Sequence, residues 1–355
     1  MRIVQLTTTP CAYYPHRIAA CINKYSNHSS RCVEVKHDGH FKHDLTFAKD
    51  KDECIELLNS ADVIHMHNYL TLDSGNFSPV NLRKLYEKGT KFVIHYHSAP
   101  DIIMKVCPTR TIESILYPEI PSIVSAQMQS RYYPNSYVVP QVIPFDDEEY
   151  RNKGYLYDVV YFASNKISLE NRFDSKGWTE VCSMLDATGS SNILKSACFE
   201  YDFNKCMDMK SRSLVVIDDL FSGTYHLNAL EALAMSKAVM CYVDNYSEAV
   251  LKFITGATWI PFVNVHYNDS LEVVKWLIDN RAKAVEIGKS GREWIEKYYS
   301  PKAMINKWYI PMYKSLFDNP ARIKRQKGLD NVPFMYKEFN DLMHGMRHKR
   351  LRSYT

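Results

Sequence analysis

The chain has 355 residues, 46% of them hydrophobic and 24% charged, with a formal net charge of +4. That length supports about two domains, each with its own core, and the composition is that of a globular protein rather than a fibrous or disordered one. No apolar run reaches the roughly 18 residues of a membrane helix, and the run inside MRIVQLTTTP is shorter than a signal-peptide core of about 7–15 residues. A cytoplasmic location is therefore expected.

The nine cysteines (Cys11, Cys21, Cys32, Cys54, Cys107, Cys182, Cys198, Cys206, Cys241) are odd in number, scattered and without a C-x-x-C pair. They frame neither a disulfide network nor a zinc finger. Charge is uneven along the chain. Pro320–Thr355 carries nine Lys or Arg and three Asp or Glu, a net +6, so the body is close to neutral. A basic tail of this kind points to an anionic partner, with peripheral contact to a membrane or nucleic acid as the two forms considered.

In the first 150 residues short β-branched runs alternate with helical patterns. Strands are predicted at Arg2–Leu6, Cys32–Lys36, Val63–His67, Phe92–His97, Ser122–Ala126 and Tyr137–Val139. Helices are predicted near Pro15–Tyr25, Lys51–Ser60, Pro79–Lys88, Thr111–Leu116 and Ala126–Tyr132, with Pro15 and Pro79 in first turns. The segment 140–149 (PQVIPFDDEE) reads as a linker. The alternation then restarts, with strands at Asp158–Ala163, Ala197–Tyr201, Leu214–Ile217, Ala238–Val243 and Trp259–Val263. Six helices are predicted near Gly177–Asp186, Asn204–Lys210, Asn228–Ser236, Ser247–Phe253, Ser270–Asp279 and Arg281–Lys297, and a last one runs over Pro301–Phe317. The fold class expected is α/β: two Rossmann-like parallel-sheet domains facing a cleft, residues 1–143 and 154–300, then a crossover helix over 301–318 and a basic extension over 319–355.

Ser213–Asp244 (SLVVIDDLFSGTYHLNALEALAMSKAVMCYVD) carries the most chemistry. It reads as strand, polar turn, helix and strand. A strand that ends in a polar turn before a helix N-terminus is a site for anions. Glu231, further along the helix, is suited to sugar hydroxyls. Together they point to a nucleotide-sugar site.

Two such domains and this segment resemble GT-B glycosyltransferases, most closely glycosyltransferase family 4. The resemblance covers residues 1–318. Glu231 falls on the second glutamate of the family's E-x7-E signature, which implies contact with ribose hydroxyls, and Ser236-Lys237-Ala238-Val239 falls on its Gly-Lys-Pro-Val. The first glutamate is absent, because Gly223 stands eight residues before Glu231. The turn instead resembles that of a bacterial subgroup, which would pass sugar and diphosphate contacts to Gly223, Thr224, Tyr225 and His226. Lys176-Gly177 resembles the family's Lys-Gly at a helix start and implies a diphosphate contact, with Ser164, Asn165 and Arg172 as further donor contacts. His95-Tyr-His97-Ser-Ala-Pro resembles the family's histidine loop, and His97 is the candidate to face the donor sugar. The loop after the first strand lacks the family's glycines; Thr9, Tyr14 and Arg17 are its candidates for acceptor or phosphate contacts. The catalytic candidates are thus His97, Tyr225 and His226.

The resemblance implies transfer of a sugar, with retention, from a nucleoside-diphosphate sugar (UDP foremost) to an acceptor hydroxyl. That acceptor is a glycan, a lipid-linked glycan or a hydroxymethylated DNA base. No cofactor beyond the donor co-substrate and no metal are expected, since no Asp-x-Asp stands on a strand-end loop. One of Asp218 and Asp219 is expected to cap or brace their turn. Two other classes stay open. His65-Met-His67 and His95-Tyr-His97 each put two imidazoles on one strand face, as a metal-dependent hydrolase using them with Asp218 or Asp219 would. Loss of the first glutamate would also suit a non-catalytic nucleotide-sugar-binding protein.

Overall fold

The computed structural model describes residues 1–9, 11–37, 39–163, 166, 176–197 and 200–329. The chain forms two compact units, Met1–Pro144 with Ser300–Lys327, and Phe145–Tyr299 with the segment from Gly328. Among the described residues no helix is long and apolar enough to cross a membrane.

The first unit is built on seven parallel strands: β1 (Arg2–Thr7), β2 (Ser29–Glu34), β3 (Leu45–Thr46), β4 (Val63–His67), β5 (Lys91–Tyr96), β6 (Ser122–Ser125) and β7 (Tyr137–Val139). Their spatial order is β3-β2-β1-β4-β5-β6-β7. β1, β4 and β5 are buried almost throughout, as central strands of a sheet covered on both faces must be. The register sets His67 opposite His95. Strand alternation places His65 and His67 on one face, so adjacent strands stack imidazoles side by side.

Helix α1 (Tyr14–Tyr25) takes Pro15 in its first turn and buries Ile18, Cys21 and Ile22, the i, i+3, i+4 stripe of a core-facing helix. Helix α2 (Lys51–Ser60) opens with Asp52 and Glu53, which suit its N-terminal dipole. Helix α3 (Leu82–Glu87) starts later than Pro79, because Asn81 caps it by accepting the Lys84 amide at 2.9 Å. Two short helices, α4 (Pro100–Val106) and α5 (Ile112–Leu116), follow β5. The segment predicted as a helix at Ala126–Tyr132 is a 3₁₀ turn over Met128–Tyr132.

The second unit has five parallel strands, β8 (Tyr157–Ala163), β9 (Ile193–Ala197), β10 (Ser213–Ile217), β11 (Ala238–Cys241) and β12 (Val263–Asn264), in the order β12-β11-β10-β8-β9. Its helices are α6 (Trp178–Asp186), α7 (Phe203–Ser211), α8 (Leu227–Ala234), α9 (Asn245–Thr255), α10 (Ser270–Asp279) and α11 (Arg281–Tyr298). The strand expected at Ala197–Tyr201 lies earlier, at Ile193–Ala197. β9 is an edge strand of mixed burial, so it lacks the continuous apolar run that marks the central strands. The strand expected at Trp259–Val263 shortens to β12, because Pro261 has no amide to give a ladder.

From Ser300 the chain packs into the first unit. Helix α12 (Pro301–Met304) passes through a π segment, Ile305–Tyr309, into α13 (Ile310–Asp318). The widening precedes Pro311, which cannot donate the next helical bond. Tyr309 donates its hydroxyl to the Pro140 carbonyl at 2.8 Å, and the Tyr313 hydroxyl lies 2.7 Å from His65 Nδ1, so this helix reaches the histidine stack.

Candidate functional site

In the second unit the chemistry gathers where β10 ends. Asp218 is fully buried and acts as a hub. Its Oδ1 accepts Lys176 Nζ at 2.6 Å and Asn228 Nδ2 at 3.3 Å. Its Oδ2 accepts the His226 amide at 2.6 Å and lies 3.2 Å from His226 Nδ1. Burial alone would raise the Asp218 pKa. Lys176 and His226 outweigh it and hold the carboxyl far below the usual range, so it is ionised at all physiological pH.

Asp219 turns the other way and accepts the amides of Phe221 and Ser222 at 2.7 and 2.9 Å, and the Ser222 hydroxyl at 2.8 Å. That is the brace expected of one of the pair. The hub role of Asp218 was not legible in sequence, because its partner Lys176 stands 42 residues away.

Lys176 is buried and left-handed (φ 52°), and Gly177 after it has φ 71° and caps α6. A Cβ on Gly177 would come within 2.0 Å of the Phe221 ring, so only glycine fits there. Tyr161 donates its hydroxyl to the Lys176 carbonyl at 2.8 Å and fixes the turn. The Lys-Gly pair is thus positioned on the structural frame, with its ammonium aimed at Asp218.

The turn after β10 shows why a glutamate is missing. Gly223 has φ 73°, and a Cβ there would lie 2.7 Å from Asp244 Oδ2. The Asp244 amide donates to the Gly223 carbonyl at 3.0 Å, and its Oδ1 caps α9 by accepting the Ser247 amide at 2.8 Å. A carboxylate therefore does stand beside residue 223, supplied from the end of β11. Thr224 is fully buried. The Tyr225 ring is also fully buried and stacks on Phe262 with centroids 5.5 Å apart. Its side chain packs as core and takes no part in the hub. His226 is the partly exposed member, with 26% of its side chain open, and it begins α8, whose first turn has no side-chain cap. Glu231, one turn on, is buried and ion-paired with Lys210, which lies over the Phe162 ring. Ser164, Asn165 and Arg172 lie outside the described residues, as do positions 330–355 of the basic tail.

In the first unit the ends of β1, β4 and β5 meet. His97 follows β5; its Nε2 lies 2.7 Å from His67 Nδ1, and its Nδ1 lies 3.4 Å from the Ser125 hydroxyl. The His97 amide donates to Asn68 Oδ1 at 2.7 Å, and the Tyr14 ring meets the His97 ring edge-on at 5.1 Å. Burial pushes the His97 imidazole down to about 3 and holds His65, His67 and His95 well below their ordinary value, so all four are neutral near pH 7.

Tyr14 is buried, with its hydroxyl 2.6 Å from that of Tyr309. Arg17 is buried with its guanidinium 5.6 Å from the Tyr13 ring centre, whereas Thr9 is exposed. The loop before α1 lacks glycine, yet Cys11, Ala12 and Tyr13 all take left-handed φ values of 45°, 54° and 66°. Three such residues in a row are strained, and strain of this kind gathers at functional loops.

Among the described residues, one nitrogen each of His65, His67 and His95 lies within 4.8 Å of the others, the only group there with metal-ligand spacing. The His65 and His67 rings are nearly parallel, 11° apart at 4.5 Å, and the His65 and His95 rings are 22° apart. Lone pairs lie in the ring plane, so stacked rings do not converge on one ion. The arrangement suits a neutral hydrogen-bonded stack better than a metal centre.

No protein-family model matches the sequence, and no curated protein matches it. Solved structures do match its fold. The sucrose-phosphate synthase of Thermosynechococcus elongatus is 12% identical with a TM-score of 0.54, over 90% of this chain and 100% of that one. A glycosyltransferase of Rickettsia africae is 12% identical with a TM-score of 0.52, over 90% and 99%. The catalytic domain of starch synthase IV of Arabidopsis thaliana, bound to ADP and acarbose, is 9% identical with a TM-score of 0.53, over 91% and 99%. At these identities what is shared is the fold, two parallel-sheet α/β domains of GT-B type.

Proposed function

We propose that the protein is a glycosyltransferase that moves a sugar from a nucleoside-diphosphate sugar to an acceptor hydroxyl. The second unit binds the donor and the first unit binds the acceptor. The observation that supports this most is the Asp218 hub. One buried carboxylate aligns a lysine and a histidine at the start of α8, where an anion is favoured. A departing nucleoside diphosphate gathers negative charge. Lys176, His226 and the amides of the α8 first turn are the groups that would neutralise it, and no metal is needed for that step.

Glu231, already held by Lys210, takes the ribose hydroxyls, and Asp244 stands in for the carboxylate that Gly223 does not supply. Retention, and an acceptor that is a glycan, a lipid-linked glycan or a hydroxymethylated DNA base, complete the reading. The basic 320–355 tail brings the protein to an anionic acceptor surface. The hydrolase alternative gains nothing, since Asp218 and Asp219 are occupied by Lys176 and by turn amides.

Turnover tests the reading. With a panel of UDP-, ADP-, GDP- and dTDP-sugars, release of the nucleoside diphosphate is expected from at least one donor, faster when the correct acceptor class is added. Binding without release from any donor, with each acceptor class present, would instead establish the non-catalytic alternative.

A further inference from the structure

His97 does not stand alone. Behind it runs a chain of hydrogen bonds into the sheet, from His97 Nε2 to His67 Nδ1 at 2.7 Å and from His67 Nε2 to Gln5 Oε1 at 3.1 Å. Both Gln5 and His67 are fully buried. They sit on β1 and β4, neighbours in the sheet, with Gln5 paired opposite His65. Gln5 is itself anchored, since its Nε2 donates to the Ser30 hydroxyl and to the Tyr313 hydroxyl, both at 3.3 Å. The Tyr313 hydroxyl in turn reaches His65 Nδ1 at 2.7 Å.

Proton placement along this chain follows from the amide. Gln5 spends both N–H groups on two hydroxyls, which leaves its carbonyl oxygen facing His67. A carbonyl oxygen can only accept, so His67 carries its proton on Nε2 and offers a lone pair at Nδ1. His97 must then donate from Nε2. A neutral imidazole has one N–H, so His97 Nδ1 is left as an acceptor. The Ser125 hydroxyl, at 3.4 Å, is a long partner for that nitrogen. A buried group that fixes the tautomer of a working histidine is a recurring second-layer device.

We propose that Gln5 and His67 are positioning residues that lock His97 in its Nε2–H tautomer, so that Nδ1 is presented as a hydrogen-bond acceptor to a substrate hydroxyl. The assignment of His97 as ligand-facing rests on the glycosyltransferase reading; the tautomer does not. The occupant of Nδ1 is a sugar hydroxyl, an uncharged donor that a neutral imidazole can accept from.

Long-range ¹H–¹⁵N correlation on the ¹⁵N-histidine-labelled full chain tests the lock without any substrate. His97 and His67 are each expected to show a protonated Nε2 and an unprotonated Nδ1, assigned with His97→Gln and His67→Asn spectra. Gln5→Leu is expected to move the His97 resonances toward a tautomer mixture, while Gln5→Glu, which keeps an acceptor oxygen, preserves the Nε2–H form. A His97 Nδ1–H tautomer in the wild type, or His97 resonances unmoved by Gln5→Leu, overturns the proposal. With a donor identified by turnover, Gln5→Leu is expected to lower kcat about tenfold with KM nearly unchanged, and Gln5→Glu to restore most of it. A correct tautomer in a protein that turns over no donor would leave the lock standing and remove the glycosyltransferase reading instead.

Discussion

Replacing Asp218 by Asn is expected to cost the second unit about 3–5 kcal/mol, the loss typical when a buried ion pair is broken on one side. The carboxylate has no solvent exposure, and its partner Lys176 is only 8% exposed at the side chain. Asn cannot neutralise the ammonium. It also replaces one acceptor oxygen with a donor, which sets an N–H against either Lys176 or the His226 amide. Urea unfolding followed by tryptophan fluorescence reads this out, since Trp178, Trp259, Trp276 and Trp294 lie in the second unit and only Trp308 in the first.

The pH dependence has a definite sign. The folded-state pKa of Asp218 is depressed well below the ordinary carboxylate value of about 3.9. Its stabilisation is therefore fully present above about pH 4 and drains away as pH falls toward the folded value. The wild type and Asp218→Asn are expected to differ most near pH 7, with the difference shrinking steadily as pH falls below about 4. A difference under about 1 kcal/mol at pH 7 would mean that Lys176 is solvated and that the hub is not built.

Glu231→Gln is expected to lose a comparable amount, about 3–5 kcal/mol, by stranding Lys210. The two side chains are 7% and 6% exposed. The double variant Lys210→Met/Glu231→Leu is expected to recover most of the loss, because an apolar pair of similar volume removes both buried charges together. This separates structure from function. If Glu231 serves only the fold, the double variant binds nucleotide as well as the wild type. If it also holds ribose, the double variant is stable yet binds nucleotide at least tenfold more weakly, about 1.4 kcal/mol. Calorimetric titration of both proteins with the same nucleoside diphosphate decides between the two.

The fold was legible wherever burial leaves a local trace. β1, β4, β5, β8 and β10 are central strands, buried almost throughout, and read as runs rich in β-branched, aromatic and other apolar residues. The edge strand β7 was read at its observed bounds, but other edges were not: β3 is two residues long, β9 is only partly buried, and Pro261 cuts the strand before β12. α4, a seven-residue helix, was also missed. At the candidate site, resemblance named Lys176 at a helix start and His226 and His97 after strands, positions that sequence alone could suggest. What decides their chemistry is long-range. Asp218, Gln5, His67 and Asp244 matter through partners 42, 62, 30 and 21 residues distant, or brought close only by the turn. Tyr225 shows the converse: a tyrosine in a polar turn looks available, and only the packed structure reveals its ring stacked on Phe262.

Whether the second unit holds a nucleoside diphosphate at the Asp218 hub can be tested by equilibrium binding without knowledge of the acceptor. UDP, ADP, GDP and dTDP would be titrated by calorimetry into the wild type and into His226→Ala, whose side chain is partly exposed and tolerant of removal. At least one nucleotide is expected to bind the wild type and raise its thermal midpoint, and His226→Ala to weaken that binding at least tenfold. No binding by any of the four, or binding indifferent to His226, would contradict a nucleoside diphosphate site at the hub.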